Sequence, residues 1–150
     1  MLVIVWDGVS RRRARNKVGA MRIKGSVRVE NLRASEIEPG ESTMMVDRSH
    51  PILGNRHFLK NRLDHAERAK RLDGYRQDLD RDFERHGPMY RILRDLARRV
   101  AVGEDIVFLC WCKPLPCHGD ILAEKVYQLA AQIVGDMEHG SVEAINVDRT

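Results

Sequence analysis

Three cysteines and one histidine stand close together in the last third of the chain and form its densest group of reactive side chains. They lie in the run Cys110-Trp-Cys112-Lys-Pro-Leu-Pro-Cys117-His118, which contains every cysteine of the protein. An odd number of closely spaced cysteines does not make a disulfide framework and indicates a metal or catalytic cluster in a reducing cytoplasm. Three thiolates and one imidazole make an acceptable tetrahedral zinc set. The candidate zinc ligands are therefore Cys110, Cys112, Cys117 and His118.

Two other interpretations of this cluster are open on the sequence alone. In the first, Cys117 is a catalytic thiolate, because the N-terminus of the helix predicted after it would lower the pKa of the thiol. His118 and Asp120 are then candidate catalytic groups that move protons, with helix capping as the alternative role of Asp120. In the second, Cys110 and Cys112 are small apolar residues of a buried strand and His118 is a helix cap.

A second polar segment follows a short predicted strand and runs from Asp47 to His57. Arg48 can hold a phosphate or a carboxylate through two donors. Gly54 and Asn55 favour a turn with positive φ, and such turns can direct backbone N–H groups at an anion. His57 is a candidate metal ligand or proton carrier. The predicted ligand-binding residues are therefore Arg48, Gly54, Asn55 and His57, and the alternative is a surface turn with solvated basic side chains.

Positive charge is concentrated near the amino terminus. The chain carries 26 Lys and Arg against 22 Asp and Glu, a net charge of +4, and eight of the basic residues lie between Ser10 and Arg28 without any acid. Such a segment fits either a basic arm that contacts nucleic acid, through residues Arg11 to Arg28, or a solvated extension. Residues 1–25 are accordingly predicted to be a basic N-terminal extension or to include an edge strand at 2–6.

The composition excludes several classes of protein. A chain of 150 residues with 43% hydrophobic and 32% charged residues is typical of one globular domain. Aromatic residues make up 5%, which argues against an aromatic platform for single-stranded nucleic acid. The longest apolar run, residues 2–6, is far shorter than the roughly 20 residues of a membrane helix. We therefore expect a cytoplasmic protein without a membrane partner.

Hydrophobic periodicity predicts an α/β fold. Strands are expected at 26–32, 43–46 and 106–112, and helices at about 61–85, 88–102 and 118–134. This order favours a small single three-layer domain, over residues 26–134, with a short, mostly parallel sheet and about three helices. Residues 135–150 are predicted to be a C-terminal tail, which begins where Gly135 ends the last helix. Trp111 is expected on the strand face opposite the two cysteines, in the core or, alternatively, as a base-stacking surface.

Four segments together resemble a known family. They are Val46-Asp-Arg48, Leu53-Gly-Asn55, the charged helix around Arg68 to Tyr75, and Leu109-Cys-Trp-Cys-Lys-Pro-Leu-Pro-Cys-His-Gly-Asp-Ile-Leu-Ala-Glu124. The chain resembles, over about residues 26–134, the domain-of-unknown-function family 4326 of phages and bacteria. In that family the Gly-Asn pair is commonly followed by proline and an aromatic residue, whereas Arg56-His57-Phe58 follows it here.

The resemblance implies a small cytoplasmic α/β domain with one composite site. The residues that it would bring together are Arg48, Gly54, Asn55, Cys110, Cys112, Cys117, His118, Gly119 and Asp120. Association of some family members with phage DNA that contains 7-deazaguanine-type bases implies an enzyme that binds a nucleotide or nucleobase, with Gly119 among the ligand-binding residues. The competing hypothesis is a non-enzymatic nucleic-acid-binding module with a structural zinc site.

Overall fold

The computed structural model describes residues 23–139 and contains, within that range, one three-stranded sheet and three long helices. In chain order these are β1 (Ser26–Asn31), β2 (Ser42–Met45), α1 (His65–Glu84), α2 (Pro88–Ala101), β3 (Asp105–Cys110) and α3 (His118–Glu138). Each of them overlaps a predicted element of the same type. The predicted α/β class, with a small parallel sheet and three helices, is confirmed.

The sheet is built around β3, which lies between β1 and β2 and runs parallel to both. Ile106, Val107 and Phe108 are at most 1% exposed, as expected for an unbroken apolar strand that is covered on both faces. Asn31 pairs with Cys110, and Met45 pairs with Leu109. The carboxyl ends of all three strands therefore meet at one edge, which is where open α/β sheets usually bind ligands.

The helices are joined to the sheet and to one another by extensive packing. α3 packs on β1 and β3, α2 packs along α3, and α1 contacts the other two helices. The buried carboxylate of Asp82, in α1, accepts hydrogen bonds from the backbone N–H groups of Met89 and Tyr90 in the first turn of α2. These two bonds take the place of a side-chain N-cap, which Gly87 at the N-cap position of α2 cannot supply. None of the helices between residues 23 and 139 is long and apolar enough to cross a membrane.

The end of β3 differs from the prediction. The strand ends at Cys110, because the side-chain amide of Asn31 donates to the carbonyl groups of Trp111 and Lys113 and the chain turns away from the sheet. Trp111 therefore lies beyond the last strand residue and is 44% exposed. Its prediction as a core residue is wrong.

The end of α3 also differs from the prediction. The helix continues through Gly135 and ends at Glu138 instead of Val134. One helical glycine costs only about 1 kcal/mol relative to alanine. The buried side chain of Val134 and the backbone hydrogen bond from His139 to Gly135 hold this last turn in place.

Several sequence predictions fall outside the described residues: the edge strand at 2–6, the basic residues 11–22 and the part of the C-terminal tail at 140–150. Arg28, in contrast, lies within β1 and is only 7% exposed. Its guanidinium forms salt bridges with Glu30, at 3.1 Å, and with Glu41. Arg28 is therefore a structural cation and is not available to nucleic acid, contrary to its place in the predicted basic arm.

Candidate functional site

A cavity of about 500 Å³ opens at the carboxyl ends of β2 and β3. Its walls are the loop after β2, the beginning of α1 and the segment that joins β3 to α3. The fold thus brings the two polar segments of the sequence together. The predicted site residues that line this cavity are Arg48, Asn55, His57, Cys110, Cys112, Cys117 and His118.

Gly54 belongs to the loop after β2 but does not line this cavity. Its backbone N–H donates to the carbonyl group of His50 at 3.1 Å. A Cβ atom at Gly54 would lie 2.6 Å from that same oxygen and 2.9 Å from the carbonyl oxygen of Asp47, so the tight loop has no room for a side chain. The predicted positive φ at Gly54 and Asn55 is wrong, because positive φ angles among the described residues occur at Gly40, His86 and Gly103.

Gly119 and Asp120 support the start of α3 and are not part of the cavity wall. A Cβ atom at Gly119 would lie 2.9 Å from Cγ1 of Val29, so glycine allows α3 to approach β1 closely. The carboxylate of Asp120 accepts a hydrogen bond from the backbone N–H of Cys117 at 3.0 Å and pairs with the ammonium group of Lys113. Ligand binding by Gly119 and proton transfer by Asp120 stay predictions.

Hydrogen bonding among the three thiols shifts the pKa of each of them. The bond from Cys110 holds the pKa of Cys117 below its ordinary value, against burial and the nearby carboxylate of Asp120. At Cys110 itself, the bond with Cys112 lowers the pKa, but the bond with Cys117 and burial raise it to about 11. The bond with Cys110 and burial also raise the pKa of Cys112, against the neighbouring Arg68 guanidinium. Cys117 is therefore the most acidic thiol of the cluster.

His118 is 4% exposed and is held by a hydrogen bond from its Nε2–H to the carbonyl group of Val46. Burial lowers the pKa of this imidazole. Because the hydrogen bond occupies Nε2, that atom cannot complete a zinc set with the three thiols. Within residues 23–139, no three His, Cys, Asp or Glu side chains are arranged to hold a metal ion. The predicted zinc set of Cys110, Cys112, Cys117 and His118 stays a prediction, in which the other ring nitrogen of His118, Nδ1, would have to be the ligand.

Asp47 connects two of the cavity walls, the loop after β2 and the segment that joins β3 to α3. Its carboxylate accepts hydrogen bonds from the hydroxyl group of Ser49 and, at 2.9 Å, from the indole N–H of Trp111. These bonds keep the pKa of the carboxyl group below its usual value, the bond from Ser49 having the larger effect. The guanidinium of the adjacent Arg48 lies 4.8 Å above the ring of Phe58. The indole and this guanidinium are thus held at the cavity by defined partners.

His57 is positioned from α1. Its Nε2 lies 2.6 Å from a carboxylate oxygen of Asp78, which also pairs with Arg81. Burial raises the pKa of Asp78, but the bonds from His57 and Arg81 together hold it below the usual value. A Cβ atom at Gly74 would lie 2.7 Å from the imidazole ring, so the ring rests on the bare backbone of α1. The ring and Nε2 of His57, the predicted proton carrier, are therefore held in a fixed position.

Three arginines that were not predicted as site residues also line the cavity, namely Arg62, Arg68 and Arg71. The signal for Arg68 was present in the sequence, because this residue continues the apolar stripe of the predicted helix at helical spacing. The stripe itself consists of Leu72, Tyr75, Leu79 and Phe83. A cation on the buried face of a helix indicates a specific partner or a site.

The comparisons with known proteins support a family without naming an activity. The model of the family described as Domain of unknown function (DUF4326) matches residues 29–128. This range contains β3, the cysteine cluster, the Arg48 loop and about half of α3. No curated protein and no solved structure matches the chain. Since the match covers more than half of the sequence, the chain belongs to the DUF4326 family.

Proposed function

We propose that this protein is an enzyme that binds a nucleotide or a modified purine nucleobase in the cavity beside β3. The observation that carries the proposal is the convergence of the Arg48 loop and the cysteine cluster on one cavity of about 500 Å³. A cavity of this size, with convergent polar groups at a strand edge, is a typical small-molecule site. The resemblance described above extends the substrate class to 7-deazaguanine-type purines of phage or bacterial DNA metabolism.

The charge of the cavity wall favours an anionic ligand. Its cationic residues are Arg48, Arg62, Arg68 and Arg71. The wall contains one carboxylate, that of Asp47, and this group already accepts bonds from Ser49 and Trp111. Guanidinium groups bind phosphate and carboxylate through paired donors. The excess of guanidinium groups therefore supports a phosphorylated ligand rather than a neutral metabolite.

We assign the reaction to Cys117. It is the most acidic of three thiols, all of which are free, as expected in a reducing cytoplasm. A thiolate is the nucleophilic form of cysteine, so a lowered pKa makes Cys117 the candidate catalytic residue. His118 lies in the same wall with a buried imidazole and is the candidate proton-transfer group, while Asp120 orients the backbone of Cys117. The alternative of a zinc-stabilised binding module has no comparable support among the described residues.

Calorimetric titration with guanosine, guanosine 5′-monophosphate and 7-deazaguanine tests this proposal. We expect one binding site per chain and weaker binding by Arg48→Gln, because that substitution removes a cavity guanidinium. Arg91→Gln is the matched control, since Arg91 is exposed on α2 and lies outside the cavity wall. Cys117→Ser should retain binding and lose turnover of the bound ligand. Failure of every purine compound to bind the wild-type protein would overturn the proposal.

A further inference from the structure

Arg68 is a buried cation without a counter-charge. It lies in the first turns of α1 and is only 5% exposed. Its terminal nitrogens donate to the carbonyl groups of Pro116, at 3.1 Å, and Arg62, at 2.8 Å. Within the described part of the chain, no carboxylate forms a salt bridge with it, and its Nε–H has no hydrogen-bond partner. Burying a charge in this way is costly unless a partner of opposite charge completes the site.

Arg71, one turn later, shares with Arg68 an Nε–H that is buried without a hydrogen-bond partner, although its side chain as a whole is 38% exposed. One of its terminal nitrogens lies 3.3 Å from a carboxylate oxygen of Glu67. Residues three apart lie side by side on a helix surface, and both Arg68 and Arg71 line the cavity. These two Nε atoms are the only buried side-chain nitrogens or oxygens without a partner among residues 23–139. Buried polar groups in folded proteins are nearly always satisfied, so each of these two donors lacks an acceptor that a ligand of the cavity could supply.

We infer that Arg68 and Arg71 form a phosphate-binding subsite and that the ligand of the cavity is a phosphate monoester, most simply a nucleoside 5′-monophosphate. The inference rests on the proposed function, which it makes more specific. A phosphate dianion offers several acceptor oxygens and no donor, which matches two N–H groups on two positive charges. Carbonyl groups hold the Arg68 guanidinium in place before any ligand arrives, so binding needs little ordering of this side chain.

The test compares inorganic phosphate, guanosine and guanosine 5′-monophosphate by isothermal titration calorimetry. Arg71→Gln should weaken the binding of inorganic phosphate and of the monophosphate about tenfold, the equivalent of one charged hydrogen bond. It should leave the affinity for guanosine unchanged. Arg76→Gln is the matched control, because Arg76 lies on the same helix, pairs with Glu124 at the surface and is outside the cavity wall.

A second variant protects the test against misfolding. Arg68→Lys keeps the buried charge but removes the Nε–H, and it should weaken phosphate binding while the circular dichroism spectrum stays that of the wild type. Equal effects of Arg71→Gln on guanosine and on its monophosphate would overturn the subsite and leave the proposed function standing. Binding of inorganic phosphate that depends on Arg71, without binding of either purine compound, would support the subsite and overturn the proposed function. Absence of phosphate binding by the wild-type protein would overturn the subsite.

Discussion

At the scale of single residues, the pKa of each thiol in the cysteine cluster depends on the two neighbouring thiols. Cys110 has the largest effect on the pKa of Cys117, which it lowers, while its own pKa is raised to about 11. The sequence analysis predicted a lowered pKa for Cys117 from the N-terminus of α3. The pKa of Cys117 is indeed lowered in the structure, but the largest cause is the hydrogen bond from Cys110. This cause could not be predicted, because only the folded strand and turn bring the two thiols together.

Titration of the thiols by the ultraviolet absorbance of thiolate tests this order of acidity. One thiol of the wild-type protein should ionise below the ordinary cysteine pKa of 9.0, since Cys117 is shifted downward. Cys110→Ala should move that midpoint upward, because the alanine cannot donate a hydrogen bond, and Cys117→Ser should abolish it. Cys112→Ser serves as the control and should retain the early step. An early step that persists in Cys117→Ser would refute the assignment.

At the scale of elements, the start of α3 depends on how closely it approaches β1. The two are in contact where Gly119 meets the side chain of Val29, and an added Cβ atom would lie 2.9 Å from Cγ1 of that valine. Further along the same helix, a Cβ atom at Gly135 would meet nothing within 4 Å. The two glycines of α3 therefore have opposite requirements, although both occupy helical positions.

Alanine substitutions at these two glycines should have effects of opposite sign. Gly119→Ala should destabilise the fold by about 1–3 kcal/mol, the usual cost of overpacking a tight contact. Gly135→Ala should stabilise it by about 0.5–1 kcal/mol through helix propensity. Urea denaturation measures both, and Gly119→Ala combined with Val29→Ala should cost less than the sum of the single changes. Equal effects at both positions would contradict the packing argument.

The elements themselves could be predicted to a useful extent, because periodicity and turn residues are local signals. The unbroken apolar run predicted β3 as a covered strand, and the stripe from Leu72 to Phe83 predicted α1. The exposure of Trp111 could not be predicted, because the amide of Asn31 on the neighbouring strand determines where the chain leaves the sheet. Such a bond joins residues far apart in sequence and has no local pattern.

At the scale of the whole molecule, four arginines line the cavity, although the chain outside residues 10–28 carries more acidic than basic residues. Strand order explains part of the convergence, since the carboxyl ends of parallel strands meet at one edge. The grouping of Arg48 with the cysteine cluster could thus be anticipated. Helical spacing places Arg68 on the buried face of α1, but its partners, the carbonyl groups of Arg62 and Pro116, could not be predicted, because only the folded chain brings them together.

The basic amino-terminal segment should be dispensable for the small-molecule site. Replacing Arg11, Arg12, Arg13 and Arg15 by glutamine in the full-length chain removes four charges and leaves in place the four arginines that line the cavity among the described residues. Calorimetry should therefore give an unchanged affinity for guanosine 5′-monophosphate. Nucleic-acid binding through this segment would instead appear as a strongly salt-dependent affinity for DNA that the substitutions abolish. A lost affinity for the mononucleotide would show that the segment contributes to the cavity.

The hydrogen bond between Trp111 and Asp47 also gives the protein an optical signal. The chain has two tryptophans, Trp6 and Trp111, so Trp6→Phe leaves a single indole, which stands in the cavity wall with its N–H bound to a carboxylate. Indole emission depends on the polarity and charge around the ring. The fluorescence of that variant therefore reports when a molecule enters or leaves the cavity, at whatever speed it does so, without any label and without knowledge of the reaction.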